Sequence, residues 1–372
     1  MTLSYWEHKT WLANIDYTIV GSGIVGLNCA LRLSQRFPDA RILILEKGIL
    51  PQGASTKNAG FACFGSISEV LSDLKNHTEE DVVQLVKLRW DGIRLLRDSL
   101  GDDKIGYENH GGHEIFLKEE SESYDLCMDN LGYINDLLSP VFEERAFKKT
   151  SNVFNFQNTR NQYISNVLEA QIDTGLMMAN LLTKVRKKGV LILNAIEVEE
   201  ICETNNGVHI KTNNFEYVSG KLFIATNGFA SDLIGQAVKP ARAQVLITKP
   251  IDHLKLIGTF HMDEGYYYFR NVADRILLGG GRNLDFSTEQ TTEFGLTEII
   301  QNKLEQLLKE VILPETPYEI EQRWSGIMGV GNQKKPVLKQ HSDNVFCGVR
   351  LGGMGIAIGS YVGTHLADLL GD

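Results

Sequence analysis

A chain of 372 residues has room for two domains of ordinary size, and its 43% apolar content is that of a globular protein. No uninterrupted apolar stretch reaches the roughly 18 residues of a membrane span. A net charge of −10 excludes nucleic acid as the main partner, because phosphate binding needs a basic face.

Residues 1–15 lack the paired basic and apolar regions of a secretory signal and read as a lead-in that packs Trp6 and Trp11 onto the surface. Next comes an apolar run at residues 17–20, which meets Gly21-Ser22-Gly23-Ile24-Val25-Gly26. A helical pattern follows, stopped by Pro38, and a second apolar run at 42–45 ends in Glu46. Strand, glycine turn, helix, strand and a terminal acid form a dinucleotide fingerprint. Gly21 permits the tight turn, Gly23 admits a pyrophosphate, and Gly26 lets helix and strand pack closely. The helix N-terminus, from Ile24, offers free N–H groups to phosphate. Glu46, with Lys47 beside it, is placed to accept hydrogen bonds from ribose hydroxyls.

Residues 47–68, rich in Gly, Ser, Ala and Asn, form a long loop without periodicity, suited to pressing backbone against a flat ligand. Cys63 within it reads either as a reactive thiol or as a buried bystander. Residues 82–100 repeat apolar positions at helical spacing and stop at Gly101. Residues 107–117 read as a strand that places His110 and His113 on opposite faces, which argues against a shared metal. Residues 120–139 read as one helix, and 140–165 as polar and irregular.

A second unit starts near Gln171, with Asp173 or Thr174 capping a helix that closes at Gly189. Its basic end, residues 184–188, reads as a solvated face. Short strands follow at 190–193, 196–201, 208–212 and 215–218, then an apolar strand at 221–224 that enters a small-residue turn. After residue 240 the pattern alternates, at 244–248, 265–270 and 275–279, which predicts an antiparallel sheet. A helix is expected over 288–310. The last segments are Arg323-Trp324-Ser325-Gly326, a strand at 344–348, and Gly352-Gly353-Met354-Gly355 before a final helix. That second glycine turn offers another anion or carbonyl site. Five scattered cysteines (Cys29, Cys63, Cys127, Cys202, Cys347) without metal-ligand spacing point to a reducing, cytoplasmic setting and no structural metal.

Four segments together, VGSGIVGL with LILEKG, GASTKNAGF, LFIATNGFAS, and RWSGIMG with the closing GVRLGGMGIAIGSYVGTHLADLL, resemble the D-amino-acid oxidase family of FAD-dependent oxidoreductases. The resemblance spans nearly the whole chain and is loosest over residues 100–165. It implies an α/β architecture: a Rossmann-like FAD-binding domain (1–76, 165–236, 325–372) interleaved with an antiparallel α+β substrate domain (77–164, 237–324). It implies FAD contacts at Gly21, Ser22, Gly23, Ile24, Gly26, Glu46 and Lys47. The second loop would add Ser55, Thr56, Asn58, Ala59 and Gly60, and the middle of the chain Val198, Ala225, Thr226 and Gly228. Gly326, Gly353, Met354, Gly355 and Ile356 would face the flavin. Tyr267 would contact substrate or serve as a half-buried sheet aromatic.

One departure stands out. Where many relatives carry an arginine that clamps a substrate carboxylate, this chain has Met328. Arg350 is the candidate replacement, with backbone carbonyls or FAD as its other reading, and Arg270 is a weaker one. The segment carries no cysteine for covalent flavin, so FAD is expected to be non-covalent. The implied reaction is oxidation of a small-molecule amine or amino acid at its C–N bond, by hydride transfer to flavin N5. Oxidation of a 2-hydroxy acid or other alcohol is the alternative; it calls for a proton-accepting histidine, with His110 and His113 as candidates. A non-catalytic flavin-binding module and a plain NAD dehydrogenase are further readings.

Overall fold

The computed structural model describes residues 3–235 and 238–371. Two eight-stranded sheets organise it. The first runs in the order Val337–Gln340, Val345–Val349, Glu216–Ile224, Ile15–Val20, Ile42–Glu46, Leu191–Asn194. Its central strands are parallel, with Ile19 beside Ile44 on one side and Phe223 on the other. Parallel strands are covered on both faces, so they read as apolar runs, and Ile42–Glu46 is buried throughout. A hairpin arm, Val198–Thr204 with Gly207–Thr212, extends from Glu216–Ile224.

The fingerprint helix, Ile24–Arg36, packs against the closing helix, Gly355–Asp368. Small residues make this approach possible. A Cβ on Gly363 would meet the Val25 carbonyl oxygen at 2.4 Å, and one on Gly359 would meet the Ile24 side chain at 2.4 Å. The long helix Glu79–Leu100, capped by Thr78 and stopped at Gly101, crosses the same helix from the other side. A Cβ on its Gly92 would lie 1.9 Å from the Ala357 carbonyl oxygen.

The second sheet runs Ile320–Val330, Lys239–Thr248, Arg275–Gly280, Tyr267–Val272, Thr259–Met262, Gly112–Glu114, Gln162–Asn166, Phe147–Ser151. It is antiparallel except where Thr259–Met262 meets Gly112–Glu114. One face buries an apolar cluster against the helix Glu298–Leu307, with Phe260 and Phe269 stacked at 4.7 Å. The other faces the first sheet's glycine turns.

Several expectations need correction. Residues 120–139 form two helices, Ser121–Asp129 and Leu131–Leu137, meeting at Asn130. The stretch expected to be irregular holds Phe147–Ser151 and Gln162–Asn166; the first is a lysine-bearing edge strand, and such polar edges carry little apolar signal. The strand at 107–117 shrinks to Gly112–Glu114, and Thr259–Met262 is an additional strand. Glu216–Ile224 is one continuous strand. The helix expected from 288 begins at Glu298. Trp6 and Trp11 are exposed rather than packed. The boundary drawn at 324/325 cuts Ile320–Val330, and the one at 164/165 cuts Gln162–Asn166; both strands pair wholly within the antiparallel sheet.

Candidate active site

A cavity of about 1580 Å³ runs between the two sheets. At one end lie Glu46, Lys47 and Val198, and at the other Cys63, His261, Tyr268, Met328 and Met354. It is larger than the ~300–1,000 Å³ of ordinary small-ligand pockets, so it can hold a dinucleotide and a substrate together.

The first end is built by the fingerprint. Gly21 has φ +103° and sits against the Ala225 carbonyl, where a Cβ would approach to 2.8 Å. A Cβ on Gly26 would lie 2.0 Å from the Gly21 carbonyl oxygen, so Gly26 serves packing and does not line the cavity. Gly23 and Ile24 do line it, and Ile24 N–H donates to Ser55 Oγ at 2.9 Å. The Glu46 carboxylate accepts from Ser22 N–H at 2.9 Å, Ser22 O–H at 2.7 Å and Gly48 N–H at 3.0 Å, which fixes it at the strand end. Lys47 is turned outward to Glu197 at 2.6 Å.

The loop after Glu46 is folded on itself. The Asn58 amide donates to the Ala54 and Ser55 carbonyls, while its oxygen accepts from Gly60 N–H and Thr174 O–H. Thr56 donates to the Pro51 carbonyl and does not line the cavity; Ser55, Asn58, Ala59 and Gly60 do. Arg270 holds this loop to the sheet through the Ala59 and Ile172 carbonyls. Burial pulls its pKa down to about 10. With its donors on backbone, Arg270 is a scaffold rather than a substrate clamp.

The far turns are tied together by Asn227, whose side-chain oxygen accepts from the Arg350 and Leu351 N–H groups at 3.1 Å each. Ala225 and Thr226 line the cavity; Gly228 lies behind, against the Met328 carbonyl. Gly326, Gly353, Met354, Gly355 and Ile356 line it too, and Met354 stands at the N-cap of the closing helix without a side-chain cap. Arg350 has φ +66°, and its guanidinium donates twice to the Lys335 carbonyl, at 3.1 and 2.9 Å. Those bonds match the carbonyl-binding reading of this residue, which also lines the cavity.

Tyr267 requires a correction. It is 5% exposed, packs in the apolar cluster behind the sheet, and does not line the cavity. Strand alternation instead presents its neighbours Tyr266 and Tyr268. His110 and His113 also lie outside the lining. His113 stacks on Phe260 and bonds Ser165 at 2.8 Å, and burial lowers its pKa to about 4.

Two histidines line the cavity, His77 and His261, and the second is held by a carboxylate. His261 Nε2 lies 2.6 Å from Glu169 Oε1, and both residues are buried. Thr259 O–H donates to the same carboxylate oxygen at 2.6 Å. Burial alone would lower the imidazole pKa, but the Glu169 carboxylate and its hydrogen bond, aided by Glu69 and Glu114, carry it up to about 9. His261 Nδ1 has no protein partner among the described residues. Cys63 Sγ lies within 4.8 Å of both His261 and Glu169, and 3.8 Å from Met354 Sδ. Burial raises that thiol's pKa well above its ordinary value, which keeps it protonated and unreactive. Sequence reading missed this group. His261 sits in a four-residue strand too short to show a face. Glu169 stands alone between Leu168 and Ala170, with no motif around it.

The residues at the first end suit a dinucleotide. Gly21, Gly23 and Ile24 bring backbone to the cavity surface at a helix N-terminus, and Thr226 Oγ1 is buried at the cavity without a protein partner among the described residues. The FAD dependent oxidoreductase family, DAO, matches residues 16–369. The chain belongs to that family. It is thus an FAD-dependent enzyme. Among curated relatives, a probable oxidoreductase, OrdL, of Haemophilus influenzae is 20% identical, over 98% of this chain and 84% of its own length. An L-2-hydroxyglutarate dehydrogenase of Escherichia coli is 22% identical, over 80% and 74%. Among solved structures, glycine oxidase from Geobacillus kaustophilus superposes with a TM-score of 0.78 at 19% identity, covering 95% of this chain and 94% of its own. At that identity the likeness speaks for the fold.

Proposed function

We propose that this enzyme oxidises the C–N bond of an amine or amino acid, with FAD held non-covalently. FAD, when bound, supplies the two-electron acceptor for a hydride leaving the carbon next to nitrogen. The cradle from Gly21 to Ile24, Ser55, Asn58 to Gly60, Thr226 and the Gly353–Ile356 turn would hold it. The absence of cysteine from the Trp324–Gly326 segment and the inert state of Cys63 support non-covalent binding.

The observation that carries the reading is the His261–Glu169 pair. A substrate ammonium must lose a proton before its carbon can give up hydride. With Nε2 held by Glu169, Nδ1 is the atom free to take it. An imidazole near pKa 9 is well matched to an alkylammonium near 10.4, a transfer uphill by roughly 2 kcal/mol. Taking a proton from a hydroxyl as weakly acidic as water would be uphill by roughly 9 kcal/mol. The resulting imine would then hydrolyse in water.

Oxidation of a 2-hydroxy acid is the second reading, favoured by the likeness to the L-2-hydroxyglutarate dehydrogenase. Anaerobic mixing with matched amines, amino acids and 2-hydroxy acids separates the two. Bleaching of the flavin by amines or amino acids is expected; bleaching by hydroxy acids alone overturns the C–N reading.

A further inference from the structure

The segment 282–297 leaves the antiparallel sheet as an irregular excursion and returns at the helix Glu298–Leu307. It is long for a loop, and it is anchored. Glu289 is fully buried at its centre, where its carboxylate accepts from Arg242 at 2.8 and 3.0 Å, Gln244 at 3.0 Å and Thr297 at 3.0 Å. Gly295 N–H donates to Ser325 Oγ at 3.0 Å. Between these anchors the loop turns apolar side chains outward: Leu284, Phe286, Phe294 and Leu296 are all exposed. A pinned loop that exposes aromatics beside a cavity has a use for them.

Two cations share this rim. The Arg282 guanidinium lies 4.6 Å from the Phe286 ring centroid, and the Lys57 ammonium 5.3 Å from that of Phe294. Arg282, Lys57, Phe294 and Tyr266 all line the cavity. Neither cation has a carboxylate or carbonyl partner among the described residues, and burial lowers the Arg282 pKa. Glu293 and Glu264 are the acids beside Phe294 and Tyr266 on this rim. Ion pairs serve the other basic groups nearby: Lys334 holds Asp73, and Arg242 holds Glu289. The sheet between the two cations is kept low by Ala243 and Gly326, which pair across strands and both line the cavity. Two strand spacings, about 10 Å, separate the two edges.

We propose that Lys57, Tyr266, Arg282, Phe286 and Phe294 form a second subsite that binds a carboxylate at the far end of an elongated substrate, with its apolar chain laid along Ala243 and Gly326. The proposal rests on the amine reading above for the reacting end. Tyr268, beside His261 in the sheet, pairs with Gly279, three residues before Arg282. Gly280 and Gly281 turn the chain there, and Gly281 N–H donates to the Tyr266 carbonyl, two residues or about 7 Å along the strand from Tyr268. An α-amino acid is too short to reach from Tyr268 to Arg282. A linear amino carboxylate with several methylenes between its ends is long enough.

The test uses the FAD-loaded enzyme and two probe series, linear α,ω-amino carboxylates and n-alkylamines of equal length. Anaerobic flavin reduction gives apparent affinities and limiting rates. Non-reducing linear dicarboxylates, titrated against the flavin absorption spectrum, give a readout free of turnover. The terminal carboxylate should tighten binding about tenfold or more at the best chain length, with little change in limiting rate. In Arg282→Met that preference should fall to about twofold, with partial recovery in Arg282→Lys. Lys57→Met should weaken dicarboxylate binding and its salt dependence. Equal affinities for the two series in the parent enzyme, or a preference that survives in the Arg282→Met/Lys57→Met double variant, would overturn the subsite. If no amine reduces the flavin, the C–N reading fails, while the dicarboxylate titration still decides the subsite.

Discussion

His261 Nε2 and Glu169 Oε1 lie 2.6 Å apart although 92 residues separate them in the chain. Glu69, Glu114, His113, Cys63 and Tyr268 surround the pair. The imidazole pKa is raised to about 9, so below that pH both ring nitrogens carry protons and the ring cannot accept another. The rate of anaerobic flavin reduction by an amine should therefore climb with pH through about 9 and then level off. His261→Gln should lose this limb and at least a hundredfold in rate, roughly the worth of a positioned base, while keeping its FAD. A pH profile unchanged in the variant would remove His261 from the reaction. Linkage gives a second check. A folded pKa above the ordinary 6.5 stabilises the fold fully below 6.5, and that stability is lost as pH rises through about 9. Denaturant titrations of His261→Gln should be flatter across this window.

Glu114 offers an independent pH signature. Burial pushes its carboxyl up to about 7, against opposing hydrogen bonds from Ser66 and Ser68. Its folded pKa is raised, so its contribution is complete below about 4.5 and is lost as pH rises through 7. Glu114→Gln should remove that slope, and unfolding free energies measured from pH 4 to 8 would show it.

Two glycine substitutions should act in opposite directions. In Gly26→Ala the new methyl meets the Gly21 backbone at 2.0 Å, so helix and turn must separate. The purified variant should show little bound FAD by absorbance and a loss of about 1–3 kcal/mol. Gly132, in the helix Leu131–Leu137, has nothing within 4 Å of its would-be Cβ. Gly132→Ala should stabilise by about 0.5–1 kcal/mol and leave the flavin spectrum unaltered.

Adjacent tyrosines should separate stability from binding. Tyr267→Ala removes a ring from the apolar cluster, at about 3–5 kcal/mol in chemical unfolding. Tyr268→Ala opens the cavity wall, and its main effect should appear in substrate affinity and reduction rate. A kinetic effect confined to Tyr267→Ala would reverse the assignment of faces.

The cofactor end was readable because its chemistry is local. Gly21 to Glu46 carries strand, turn, helix and acid within one stretch, and buried parallel strands announce themselves as apolar runs. The reacting end was not readable in the same way. Its wall joins His261, Tyr268 and Arg282 from separate strands and loops, with Glu169 behind His261, and a one-residue choice of strand face decides between Tyr267 and Tyr268. Met328 was noticed as a departure, but nothing local pointed to the cations that stand along the rim. Polar edge strands such as Phe147–Ser151 were silent for a related reason: their order comes from pairing rather than from their own residues.

The closing helix has a consequence for folding. Val345–Val349 completes the parallel sheet beside Glu216–Ile224, and Gly355–Asp368 wedges between the fingerprint helix and Gly92 of the long helix. Both lie within residues 345–368, yet they seal a cradle opened by residues 15–46. The cradle is therefore complete only once these distant segments have met, and until then the fingerprint helix and the long helix keep apolar faces exposed. Late, long-range closure of this kind is slow and prone to aggregation. Free FAD present during refolding from denaturant, rather than added afterwards, should raise the yield of active enzyme.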